Sequence, residues 1–272
     1  MITVLSMGAG VQSSTLALMA AHGEVTPMPD VAIFADTGYE PKEVYDWLKF
    51  LKTKLPFPVV TVSKGNIKKD NENGLVAKKR TEKGGHISIP YFTLDNDTNK
   101  QGMLSRQCTS EYKIEPVNTY VRRELLNLKP RQRAPKEHVV DQWYGISYDE
   151  IQRQKVPFTE PWRRNVYPLI ERRIYRGQCL EWMEKNGYPQ PPRSSCLCCP
   201  FHSNSEWLRI KNGDPDEWAE LVKFDKKIRS NGDRGELYLH KECKPLDEID
   251  YEKLANTAQL SLLDECSGYC GV

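Results

Sequence analysis

Apolar residues crowd positions 2–5 and give way to Ser6, a pattern that predicts a short buried strand. Gly8 and Gly10 follow. Leu16, Met19 and Ala20 then recur at helical spacing up to Gly23, which predicts a helix over 12–22. The unbroken run Val31-Ala32-Ile33-Phe34-Ala35 predicts a second strand, covered on both faces. Pro41 suits the first turn of a helix, and Val44, Trp47, Leu48 and Leu51 give that helix one apolar face. Val59-Val60-Thr61-Val62 reads as a third strand. The β-α-β-α-β order predicts an α/β fold: a Rossmann-like, doubly wound parallel sheet with right-handed crossovers. Residues 64–108 lack a clean period and are rich in Lys, Asn, Gly and Asp, so they read as a long insertion able to close over a ligand. A helix over 111–126 and a strand over 138–146 follow. Beyond Trp162 the chain is proline- and cysteine-rich, with helices expected at 172–186, 214–230 and 250–263. These shifts predict an α/β domain over 1–161 and a smaller helical, cysteine-containing part over 162–272.

The 272 residues, 39% of them hydrophobic, suffice for one large domain with an appendage. No apolar run approaches the ~20 residues a membrane helix needs, and a strand begins where a leader would carry its charges. A cytoplasmic protein is the expectation. Net charge is only +2, yet the cations cluster at 64–83, 122–136 and 163–176, which admits a nucleic acid or another polyanion as partner. Each cluster read singly is a solvated surface. Eight cysteines inside a cell point to metal, iron–sulfur or redox chemistry rather than a disulfide framework.

Chemistry concentrates at the predicted strand ends. Ser6 to Ser14 joins a strand to a helix through two glycines and two serines, a geometry suited to an anion at the helix N-terminus. No Gly-Lys-Ser/Thr follows, so it is not a Walker A loop. Ser13 stands where a dinucleotide fingerprint has its third glycine. A nicotinamide-binding domain with Asp36 on a ribose is the competing reading. Asp36-Thr37-Gly38 ends the second strand, and Gly145 to Arg153 follows a later one.

Ser6-Met7-Gly8-Ala9-Gly10-Val11-Gln12-Ser13-Ser14 resembles the PP-loop of ATP pyrophosphatases, S-x-G-x-x-S-S. Together with Phe34-Ala35-Asp36-Thr37-Gly38-Tyr39-Glu40-Pro41 and Arg106-Gln107-Cys108-Thr109 with Lys113 and Pro116, it resembles the phosphoadenosine-phosphosulfate reductase family of the adenine nucleotide α-hydrolase superfamily. Gly145-Ile146-Ser147-Tyr148-Asp149-Glu150 with Arg153 is similar to that family's G-x-R-x-x-E/Q-S motif, with Ser147 in place of its arginine. The end of the chain, Glu265-Cys266-Ser267-Gly268-Tyr269-Cys270, is only loosely similar to the reductases' E-C-G-x-H/L tail. Phage and mobile-element relatives, and DNA phosphorothioation proteins, look closer in organisation.

The resemblance implies ATP or a related adenine nucleotide as ligand, cleaved between its α- and β-phosphates to adenylate a substrate. Ser6, Gly8, Gly10, Gln12, Ser13, Ser14, Asp36, Thr37, Gly38, Gly145 and Glu150 would bind it. Ser13, Asp36, Lys113 and Arg153 would carry the catalysis, with Asp36 reaching Mg²⁺. Cys196 and Cys199 have C-x-x-C spacing before Pro200, and with Cys108 and Cys179 they form the expected ligand set of a [4Fe–4S] cluster. Zinc, with His202 among its ligands, is the alternative. Sulfur transfer to a nucleic acid would then need a sulfur donor such as a cysteine desulfurase. A homodimer is a further expectation. The alternatives are an accessory nucleic-acid- or partner-binding protein with a structural metal, and a sulfonucleotide reductase.

Overall fold

A computed structural model describes residues 1–74, 87–155, 160–231 and 235–257. Along the chain lie β1 (Ile2–Met7), α1 (Val11–Ala21), β2 (Val31–Asp36), α2 (Lys42–Lys54), β3 (Val59–Ser63), α3 (Ile67–Gly74), β4 (Phe92–Asp95), β5 (Gln101–Met103), α4 (Glu115–Tyr120), β6 (Val140–Tyr144), β7 (Arg163–Val166), α5 (Pro168–Glu171), α6 (Arg176–Lys185), α7 (Asn204–Lys211), α8 (Pro215–Ile228), β8 (Gly235–Tyr238) and α9 (Tyr251–Thr257). One π-helical stretch on each side, Thr109–Ile114 and Val121–Leu125, extends α4. The chain divides into a first unit, Met1–Lys64 with Tyr112–Ser195, and a second, Gly65–Glu111 with the described residues from Cys196 on.

The first unit is an α/β structure on a five-stranded parallel sheet, ordered β3-β2-β1-β6-β7. Strand alternation sorts its residues. Leu5, Met7, Ala32 and Phe34 pack with α1, α2 and α6 on one face, whereas Val4, Val31, Ile33 and Ala35 pack with Val117 and Val121 on the other. Residues 31–35 of β2 are buried throughout, which accounts for their continuous apolar run. The buried residues of α2 are Val44, Trp47, Leu48 and Leu51, the face expected from its periodicity. Strand order reverses between β1 and β6, so their carboxyl ends form the switch point of the sheet.

The second unit carries a three-stranded antiparallel sheet, β5-β4-β8. Residues 64–108 are therefore no simple loop: they hold α3, β4 and β5. Helices α7, α8 and α9 belong to this unit around buried Trp207, Phe224 and Tyr251. Asp225 is fully buried. It accepts N–H bonds from Leu239 and Leu246 at 3.2 Å each and pairs with Arg229, so one carboxylate joins helix, strand end and loop. A boundary at 161/162 would separate β6 from β7, which are neighbours in one sheet with Val140 opposite Arg163. The stretch from 162 on thus contributes β7 to the sheet beside its helices.

Candidate functional site

The turn from β1 to α1 leaves a helix N-terminus without a side-chain cap. Gly10 is the N-cap of α1 and no side chain caps the helix; its first turn carries no acidic residue. The first intrahelical bond runs from the Ser14 N–H to the Gly10 carbonyl. The N–H groups ahead of it lie at the positive end of an 11-residue helix. Ser13 Oγ accepts the Gly8 N–H at 3.3 Å and lies 3.4 Å from the Gly10 carbonyl, so this hydroxyl sits within the turn.

Ser14 is placed differently from its sibling. Its side chain is fully buried and its Oγ accepts the Trp47 indole N–H at 2.9 Å, which ties α1 to α2. That geometry gives the Ser14 hydroxyl a packing role.

Gly145 ends β6 beside this turn. A Cβ there would stand 2.5 Å from Ser13 Cα and 2.6 Å from Ser13 N, so only glycine lets the two backbones meet.

At the end of β2, Asp36 Oδ1 accepts the Gly38 N–H at 2.7 Å and the Tyr45 hydroxyl at 2.9 Å. Burial, with Asp36 alongside, drives the Tyr45 phenol well above its usual range. Both bonds fall on one carboxylate oxygen, which leaves Oδ2 as the oxygen able to reach a Mg²⁺ shared with phosphates. Asp36 thus fits that ion. Thr37 Oγ1 donates to Glu40 Oε1 at 2.9 Å, and the Lys113 ammonium lies 3.9 Å from the same oxygen.

Beneath the turn lies a small pocket, about 40 Å³ in volume, between the ends of β1, β2 and β6 and the α4 helix. Met7, Ile33, Phe34, Ala35, Ile114 and Val117 make its apolar wall; Ser6, Lys113, Asn118, Gln142 and Tyr144 contribute polar groups. These polar groups are held in a chain. Gln142 Nε2 donates to Ser6 Oγ at 2.8 Å, and Arg163 donates to Gln142 Oε1 at 2.8 Å and also bonds Asn118. Burial pushes the Tyr144 phenol up to about 12, against the opposing charge of Arg163, so it stays a neutral donor. Lys113 reaches the pocket from the π-helical stretch, a local irregularity common at functional sites.

A second network brackets the turn from the Gly145–Arg153 side. Gln12 donates to Glu150 at 3.1 Å and to Ser147 at 3.4 Å, and accepts from Arg176 at 2.9 Å. Arg153 pairs with Glu150 at 2.7 Å. The structure therefore gathers Ser6, Gly8, Gly10, Gln12, Ser13, Gly145, Glu150 and Arg153 around one turn. Sequence reasoning missed Asn118, Gln142 and Tyr144, and took Arg163 and Arg176 only as members of a basic cluster. Gln142 and Tyr144 had a signal, since both lie in the strand predicted over 138–146; Asn118 had none.

The expected cluster ligands belong to two units. Cys179 is fully buried in the hydrophobic core of the first unit, with Leu16 and Met183, and desolvation pushes its thiol up to about 12. Cys108, Cys196 and Cys199 belong to the second unit. His202 Nε2 sits 3.1 Å and 3.3 Å from the Cys196 and Leu197 carbonyls. Among the described residues no group of three or more His, Cys, Asp or Glu could hold a metal ion. The described residues thus lend no support to a [4Fe–4S] cluster or to zinc in the expected form. None of the six described cysteines is in a disulfide, while Cys266 and Cys270 lie outside the described residues.

Many of the clustered cations have local partners. Arg122 and Arg123 donate to the Gln132 and Leu128 carbonyls, Arg164 grips Asp141 through two bonds, and Lys64 pairs with Glu115. Lys78, Lys79, Arg80 and Lys83 lie outside the described residues. No described helix is long and apolar enough to cross a membrane.

No family model matches the chain, and no curated protein matches it. Among solved structures, it is similar to a phosphoadenylyl-sulfate (PAPS) reductase from Candida auris, determined as a phosphate complex. The similarity covers 70% of this chain and 74% of that one, at 14% identity and a TM-score of 0.42.

Proposed function

We propose that the first unit binds ATP or a related adenine nucleotide and cleaves it between the α- and β-phosphates to adenylate an acceptor. One observation carries this reading: an uncapped helix N-terminus and a mainly apolar pocket share the switch point of a parallel sheet. The apolar wall of the pocket suits the face of a base; the turn suits the phosphates. An acceptor oxygen attacks the α-phosphorus and forms a new P–O bond. The bond to the bridging oxygen breaks, pyrophosphate leaves with the electron pair, and the acceptor proton passes to water. The first-turn N–H groups and Ser13 stabilise charge on the leaving pyrophosphate. Mg²⁺, held through Asp36 Oδ2, would neutralise phosphate charge when bound. Tyr144, Gln142 and Ser6 orient the nucleoside. The exposed Lys129, Arg131, Arg133 and Lys136 support a polyanionic acceptor such as a nucleic acid. No cluster enters this scheme.

The test is AMP and pyrophosphate release from Mg²⁺–ATP, measured with candidate acceptors. Activity that vanishes in Ser13→Ala supports the scheme; full activity in that variant overturns it. A second reading, a nucleotide-binding accessory protein, is favoured by the carboxylates beside both expected catalytic cations, Glu40 at Lys113 and Glu150 at Arg153. Tight ATP binding without AMP formation would select it.

A further inference from the structure

The β1–α1 turn is held from outside by a segment far along the chain. Ser194 donates its hydroxyl to the Gly8 carbonyl across 186 residues of sequence. A peptide is planar and trans, so its carbonyl and the following N–H point in opposite directions. Fixing the Gly8 carbonyl on Ser194 therefore fixes the Ala9 N–H on the far side. The conformation is not one the local sequence favours: Ala9 sits at φ 57°, in the left-handed region that strains a residue with a Cβ. Gly10 has its own reason to be glycine, because a Cβ there would stand 2.9 Å from Ser194 Cβ. The glycine that reads in the sequence as room for a ligand is thus also room for this strap.

Two polar groups on the strap are buried without a partner among the described residues. Ser195 is 2% exposed and its hydroxyl has no hydrogen-bond partner among the described residues. Arg193 Nη2 is likewise buried without one. Buried donors of this kind are uncommon unless a bound polar group completes them.

We propose that Ser194 is a positioning residue of the anion site: it locks the Gly8–Ala9 peptide so that the Ala9 N–H joins those of the first turn of α1 on the phosphates. This inference rests on the nucleotide reading above. The test is calorimetric titration of the full chain with three probes, Mg²⁺–ATP, inorganic pyrophosphate and adenosine, in wild type and Ser194→Ala. The expected result is a loss of roughly three- to tenfold in affinity for ATP and pyrophosphate, the worth of one net hydrogen bond, with adenosine affinity unchanged. Equal weakening of adenosine and pyrophosphate would mean general loosening and overturns the proposal, as does unchanged binding of all three. If Ser194→Ala fails to fold, Ser194→Cys, of similar size but a weak donor, carries the same comparison. Wild type that binds neither ATP nor pyrophosphate overturns the nucleotide reading and this inference with it. Wild type that binds both, with Ser194→Ala unaltered, overturns the inference alone.

Discussion

Gly145→Ala inserts one methyl where β6 meets the first turn of α1. The new Cβ would stand 2.5 Å from Ser13 Cα, 2.6 Å from Ser13 N and 3.0 Å from the Gln12 carbonyl carbon. Ordinary contact begins near 3.4 Å, so the two backbones must separate by about 0.9 Å (3.4 minus 2.5). Neither side can yield by turning a side chain, because every obstructing atom is backbone. Overpacking of this kind costs about 1–3 kcal/mol, and roughly 2–4 °C of Tm accompanies each kcal/mol in a chain of this size class. The displacement falls on Ser13 and on the network from Gln12 to Glu150, so ATP affinity should drop with stability. Gly177→Ala is the control: nothing lies within 4 Å of its added Cβ, and it sits in α6. That variant should be neutral or stabilising by up to about 1 kcal/mol. Thermal melting and ATP titration of both variants decide the matter. A Gly145→Ala protein with parental Tm and parental ATP affinity would refute the steric reasoning.

Two further predictions concern buried groups that titrate or ligate. Desolvation, with a smaller push from Lys241, lowers His240 from 6.5 to about 4 in the folded protein. The unfolded chain therefore takes up the proton first as pH falls, and the stability present above about 6.5 is lost progressively between about 6.5 and 4. The 2.5-unit gap corresponds to about 3 kcal/mol at most. Chemical denaturation across that window should show a slope that flattens in His240→Gln; an identical slope in both proteins contradicts the assignment. Cys179→Ala should lower stability by about 1 kcal/mol through lost packing while leaving metal content per chain, read by elemental analysis, as in wild type. Loss of a bound metal would instead restore Cys179 as a ligand.

The elements of the first unit were legible wherever a local pattern suffices. The strand starting at Ile2, the apolar run of β2, the one-sided face of α2 and the stop at Gly23 each depend on neighbours within a few residues. The β1–α1 turn was legible for the same reason, since two glycines lie between one strand and its own helix. What the turn touches was not. Ser14 accepts the Trp47 indole N–H because α2 packs over it, and hydroxyl direction leaves no mark in a serine pair. The pairing of β4 with β8, Phe92 opposite Tyr238, joins segments separated by well over a hundred residues, so nothing local announces it. Cysteine spacing likewise suggested a common centre, but spacing along the chain does not bring Cys179 out of the core. Sequence by itself determined which segments become strands and helices and where their polar ends fall, because these follow from short-range periodicity and backbone stereochemistry. Only the tertiary structure decided that Ser194 holds Gly8 and that Gly145 admits Ser13, because long-range closure is set by summed packing over the whole chain.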